Sequence, residues 1–171
     1  MCGNGETAFV LPRGATGFFR PGDGPLPEID RRLFRTGLYE AARLAEGTVG
    51  EVEERTYPCT FHIASVLHDR EESVVLCHAH HPWIAFVRER GLWFDTGFID
   101  PPWWARAFSW VGFEVLDRLL LTTPLEEVDT SGLSREERSA CRLYENTTLG
   151  GLLFNARDHG PGCAPDEPDA G

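Results

Sequence analysis

The chain has 171 residues, 27 acidic against 16 basic, for a formal net charge of −11. That length suits one domain, since separate cores appear only beyond roughly 250–300 residues. The charge excludes nucleic acid as a primary partner, because phosphate binding needs a basic face. Apolar residues make up 42% and charged residues 25%, ordinary values for a globular protein with a real core. There is no lysine, so all fixed positive charge is arginine.

Residues 1–27 hold six glycines and four prolines, and 159–171 hold three of each. Both read as flexible ends flanking one body at 28–158. The first helix is expected over 28–46, with Leu33, Phe34, Leu38, Ala41, Leu44 and Ala45 on one side at 100° per residue. Gly47 follows as its left-handed cap. Strands are expected at 52–57, 60–68, 73–81, 83–89 and 92–95, joined by polar turns at 69–72 and at Arg90-Gly91. Asp100 reads as the N-cap of a second helix, with proline at its first turn and Gly112 past its end.

A short strand at 113–116 and a leucine-rich turn near 119–121 follow. Ser134 and Glu137 form a capping box for a third helix running to Tyr144, and 149–155 reads as a last one. Helix, hairpins and then helices make the class α+β: an antiparallel sheet of four to six strands packed by three to four helices. The short strand connections leave no room for parallel crossovers.

Five cysteines, an odd count without a C-x-x-C pair, point to a reducing cytoplasm rather than a disulfide framework. No apolar run approaches the ~20 residues of a membrane helix, and no signal peptide is visible.

Two clusters carry candidate chemistry. Five of the six histidines lie between His62 and His81. If the hairpin register puts His62 opposite His80, then His62, His78 and His80 share a face and offer the three nitrogens of a catalytic zinc. A slip by one residue puts His62 with Cys77 and His81 instead. The pairs Cys59/His62 and His159/Cys163 have ligand spacing but no matching second pair.

The second cluster is aromatic: all five tryptophans lie between Trp83 and Trp110. In the helix after Asp100, Trp103 and Trp110 fall at one edge of the core-facing stripe with Arg106 beside Trp110. Tryptophan with arginine at a surface edge is the composition of interface hot spots. Trp83, Trp93 and Phe98 offer the alternative of a small-molecule pocket.

Some motifs fail on context. Met1-Cys2-Gly3 resembles the start of class II glutamine amidotransferases, but the following Asn-Gly-Glu-Thr departs from that pattern. Gly3-Asn4-Gly5 lacks the preceding strand a dinucleotide site needs. His78-Ala79-His80 resembles the cupin metal motif without its glutamate.

The stretch Thr148-Leu149-Gly150-Gly151-Leu152-Leu153-Phe154-Asn155 through Asp158 resembles the C-terminal segment of small uncharacterised bacterial proteins. In size and acidity the chain is also similar to stand-alone bacterial immunity proteins. That resemblance carries no site; the acidic surface itself points to a non-enzymatic, inhibitor-type module without a cofactor. It would bind a basic protein through acidic residues such as Glu126, Glu127 and Asp129 and through the Trp103, Arg106, Trp110 edge. The alternative is a histidine-assisted or zinc-dependent hydrolase built on His62, His78 and His80.

Overall fold

A computed structural model describes residues 11–12, 15, 28–54, 60–90, 97–129, 131, 133, 135 and 148–154. Helix α1 spans Arg31–Ala45 and begins at Asp30, whose carboxylate accepts from Arg32 N–H at 2.9 Å. It buries Phe34, Gly37, Leu38, Ala41 and Ala42. The expected glycine cap is one residue out: Glu46 takes the left-handed conformation (φ 58°), not Gly47. Gly47 N–H donates to Ala42 and Glu46 N–H to Arg43, which is a Schellman closure. Gly47 is needed for another reason, since a Cβ there would stand 2.1 Å from the carbonyl oxygen of Leu67.

Strand β1 (Thr48–Glu53) therefore starts directly after the helix, earlier than its alternation implied. It pairs antiparallel with β2 (Phe61–His68), with an irregularity between Val49 and Val52. Strand β3 (Glu71–His78) returns through a two-residue turn, Asp69-Arg70, in which both residues have positive φ. That is the backbone of a type I′ hairpin, whose twist matches the strands it joins. Strand β4 (Trp83–Val87) continues the antiparallel run, and β5 (Phe98–Ile99) pairs with its far end. The polar turn is thus shorter than expected, and the strand expected at 92–95 lies outside the described residues.

The sheet orders β1-β2-β3-β4-β5, and β6 (Glu114–Val115) pairs with the near end of β4. This last pair is parallel, with Trp83 opposite Glu114. The expected antiparallel sheet is present, and this one short pair adds a parallel ladder to it. The chain between Val87 and Glu114 is long enough to make a crossover, and the helical segment within it supplies one. The α+β class stands, with six strands and four α-helices among the described residues.

Strands β3 and β4 are buried on both faces along Val74–His78 and Trp83–Val87, because two layers sandwich the sheet. One layer is α1 with a 3-10 turn (Trp103–Ala105) and α2 (Arg106–Trp110), packed on Ala64, Val66, Val75, Ile84 and Phe86. The other is α3 (Arg118–Leu121) and α4 (Leu149–Leu153), packed on Phe61, Ile63, Val74, Leu76 and Ala85. Leu11 and Ala15, from the Gly/Pro-rich N-terminal stretch, are fully buried in this second cluster. Apart from Arg135, the helix expected over 134–144 lies outside the described residues, as does the tail from 159. No helix among the described residues is long and apolar enough to cross a membrane.

Candidate functional site

The hairpin register decides the histidines. His62 pairs with Cys77 and Phe61 with His78, so His62 and His78 project from opposite faces of the sheet. His62 stacks on Phe34 of α1 with ring centroids 6.3 Å apart. The trio of His62, His78 and His80 therefore does not converge. Of the two alternatives, the register is the one that places His62 with Cys77, but His81 lies instead against His78 and Trp83. Among the described residues, no group of three or more His, Cys, Asp or Glu is placed to hold a metal ion. Cys59, His159 and Cys163 lie outside those residues. Cys77 itself is buried, and burial pushes its thiol pKa far up, since a thiolate there would lose its hydration.

His78 has a different task. Its Nδ1 accepts from the backbone N–H groups of His80 and His81, at 3.1 and 3.2 Å. An accepting Nδ1 carries no proton, so the neutral ring bears its hydrogen on Nε2, which donates to the carbonyl oxygen of Ala15 at 2.8 Å. The ring is fully buried against Trp83 and Phe154, with centroids at 5.1 and 5.9 Å. Beside it, His81 stacks on Trp83 at 4.7 Å. His78 thus ties the end of β3 to the turn before β4 and to the N-terminal stretch. Trp83 and Phe98 are buried within the same cluster, and Trp93 lies outside the described residues.

The aromatic edge keeps Trp103 and Trp110 outward, but it starts differently and Arg106 lies against Trp103 rather than Trp110. Pro102, in extended conformation, precedes the 3-10 turn, and no side chain caps it. The expected cap, Asp100, instead lies 3.9 Å from Arg118 on the surface. Prolines at 101 and 102 withhold N–H donors, so the chain enters through a tighter turn before α2 forms. Trp104, Ala107 and Phe108 turn inward, with Trp104 edge-on to Phe86 at 5.5 Å and Phe108 stacked on Phe34 at 6.3 Å. Trp103 and Trp110 turn outward and are 62% and 59% exposed. The Arg106 guanidinium sits 5.3 Å from the centroid of the Trp103 ring, a cation–π contact.

Helix α1 lies alongside. A Cβ at Gly37 would meet the Phe108 ring at 2.7 Å, so the missing side chain is what lets α2 seat so closely. The outer side of α1 is exposed at Arg31, Arg32, Arg35, Tyr39 and Arg43.

The acidic residues expected beside this edge are elsewhere. Glu126 and Glu127 belong to a 3-10 turn, Leu125–Glu127, whose Leu125 packs with Val128 on the α3/α4 side. They are exposed, but the sheet separates them from Trp103 and Trp110. Asp129 closes its own turn: its carboxylate accepts from Ser131 N–H at 2.8 Å, and its carbonyl accepts from Leu11 N–H at 3.0 Å. Bonds from the Ser131 side chain and backbone hold the Asp129 carboxyl below its usual range. The six expected interaction residues thus form two separate groups. Helical spacing placed Trp103 and Trp110 at an exposed edge, as the structure has them, and nothing in the local sequence could say which layer the second group would join.

Arg90 is a centre that sequence reading missed. It donates to Glu53 at 2.7 Å, to the Glu51 carbonyl at 2.8 Å and to the buried Ser65 hydroxyl at 3.2 Å, with Glu72 at 3.6 Å. Two carboxylates of β1 and the hairpin, Glu53 and Glu72, are thereby paired at the surface. No family model, curated protein or solved structure matches the chain.

Proposed function

We propose that the protein is a non-enzymatic binding module that recognises another protein through the outer face of the α1/α2 layer. One observation carries this reading: two tryptophans, more than half exposed, flank an arginine on a segment whose other side is locked into the core. An exposed tryptophan forgoes roughly 1.5–3 kcal/mol of burial that a partner can supply. Tryptophan and arginine are also the residues that dominate binding energy at protein interfaces. A rigid platform holds them, so little ordering is lost on binding.

The immunity or inhibitor type of action fits a module that works by occupying its partner's surface. A free buried thiol at Cys77 is compatible with a reducing cytoplasm. The net charge of −11 would favour encounter with a partner that is basic overall, whatever the sign of the segment that docks. The test is affinity purification from source cells using the wild-type chain and a Trp103→Ala/Trp110→Ala variant of equal thermal stability. The expected result is one stoichiometric protein held by the wild type and lost from the variant. Equal recovery by both, or none by either, overturns the reading.

A further inference from the structure

Resting on that reading, we infer that the segment docking on the α1/α2 face is acidic, opposite in sign to what the net charge implies. Residues 31–45 and 103–110 hold five arginines and one glutamate. These give +4, which leaves −15 for the rest of a chain whose total is −11. With the caps Asp30 and Glu46 included, which are exposed at the two ends of α1, this layer still carries +2, and α1 and α2 pack side by side on one face of the sheet.

Two of the arginines are engaged: Arg31 pairs with Glu54, and Arg43 with Glu40. Arg32 and Arg35 are exposed and make no ion pair with any described residue, and Arg106 is held over Trp103. Arg32, Arg35 and Tyr39 of α1, and Trp103, Arg106 and Trp110 of the turn and α2, are thus all exposed on the same layer. At physiological salt the screening length is about 8 Å, so a partner in contact feels these arginines more than the distant acids. The planar guanidinium donates in a fork that matches a carboxylate, and the rings beside it supply apolar area.

Charge complementarity selects an acidic protein segment over other occupants. A nucleic acid carries negative charge along its whole length and would run onto the −15 remainder of the surface. A second copy brings its own net −11, which opposes approach. A compact acidic patch on another protein meets the arginines without either conflict.

The test uses the full chain and two short peptides, one of glutamate and leucine and the other of lysine and leucine. Binding is followed by tryptophan emission and by calorimetry, with a single-stranded oligonucleotide as third probe. The glutamate peptide is expected to bind about tenfold more tightly than the lysine peptide. Arg32→Glu/Arg35→Glu is expected to weaken it by about tenfold, while Glu126→Gln/Glu127→Gln leaves it unchanged. Iodide should quench the exposed tryptophans better than caesium, and the arginine reversal should invert that order.

Preference for the lysine peptide, lost in Trp103→Ala/Trp110→Ala, overturns the acidic partner while the binding reading stands. Preference for the oligonucleotide, concentration-dependent self-association, or no binding at millimolar peptide each overturns the inference as well. Failure of the binding reading itself shows separately, in the affinity purification.

Discussion

The imidazole of His78 donates through Nε2 to the carbonyl oxygen of Ala15, 63 positions earlier in the chain, at 2.8 Å. The other ring nitrogen accepts two backbone N–H groups from the turn at His80 and His81. One buried side chain therefore satisfies three main-chain groups. His78→Ala is expected to cost about 2–5 kcal/mol, through the lost packing and the unpaired groups left behind. His62, stacked on Phe34, makes a useful contrast, because His62→Phe should keep its packing against α1. Urea denaturation compares the two, and a His78→Ala loss below about 1 kcal/mol would show that the ring is not the tie we describe.

Gly37 sets the distance between the two helices that carry the exposed aromatic face. Alanine is the better helix former by about 1 kcal/mol, yet here its methyl would enter the Phe108 ring. Overpacking of this kind costs about 1–3 kcal/mol. Gly37→Ala is therefore expected to destabilise by about 1–2 kcal/mol, or to move α2 outward. Thermal unfolding reads the first outcome, and an altered Trp103/Trp110 emission spectrum reads the second. A stabilised variant with unchanged emission would contradict the close seating.

The hairpin turn offers the opposite experiment. Arg70 holds φ at 63°, where a side chain costs about 1–2 kcal/mol relative to glycine. A type I′ turn prefers glycine at that position, so Arg70→Gly should raise stability by about 1 kcal/mol. Glu46→Gly, at φ 58°, should act similarly. Both gains should move the urea midpoint without changing its slope.

Cys77 predicts an alkaline dependence. Burial raises the folded-state thiol pKa above the unfolded value of about 8.5. Below that unfolded value the group's contribution to stability is fully present, and it is lost as pH rises toward the folded value. Cys77→Ala should accordingly flatten the fall in stability above about pH 8.5, apart from a constant packing loss. In the native protein, alkylation followed by peptide mapping should leave Cys77 unmodified until the chain unfolds.

The α+β class and the edge at Trp103, Arg106 and Trp110 were legible from the sequence, because both rest on local periodicity. Helical spacing fixes which residues share a side whatever lies beyond the helix. The first hairpin was legible as well, since polar residues at 69–72 separate two apolar runs. Its turn proved shorter than those residues suggested, because type I′ geometry needs only Asp69 and Arg70.

What local pattern could not supply was the relation between elements. The histidines looked like one cluster because they are close in sequence, but a strand sends neighbours to opposite faces, and one residue of register decides which ones meet. The pairing of His62 with Cys77 dispersed the expected ligand trio and left His78 tying three main-chain groups. β6 runs parallel because α2 crosses the sheet between β4 and its return, a path invisible in the short runs themselves.

Charge divides in the same way. Length, composition and a net −11 follow from counting residues, and no fold can alter them. Where the charge sits depends on folding: Arg90 gathers Glu53 and Glu72, Glu126 and Glu127 join one layer, and the arginines of α1 join the other. A partner meets one face at a time, and electrostatic attraction in salt water reaches only about 8 Å. The sum is therefore a property of the sequence, and the sign a partner meets is a property of the tertiary structure.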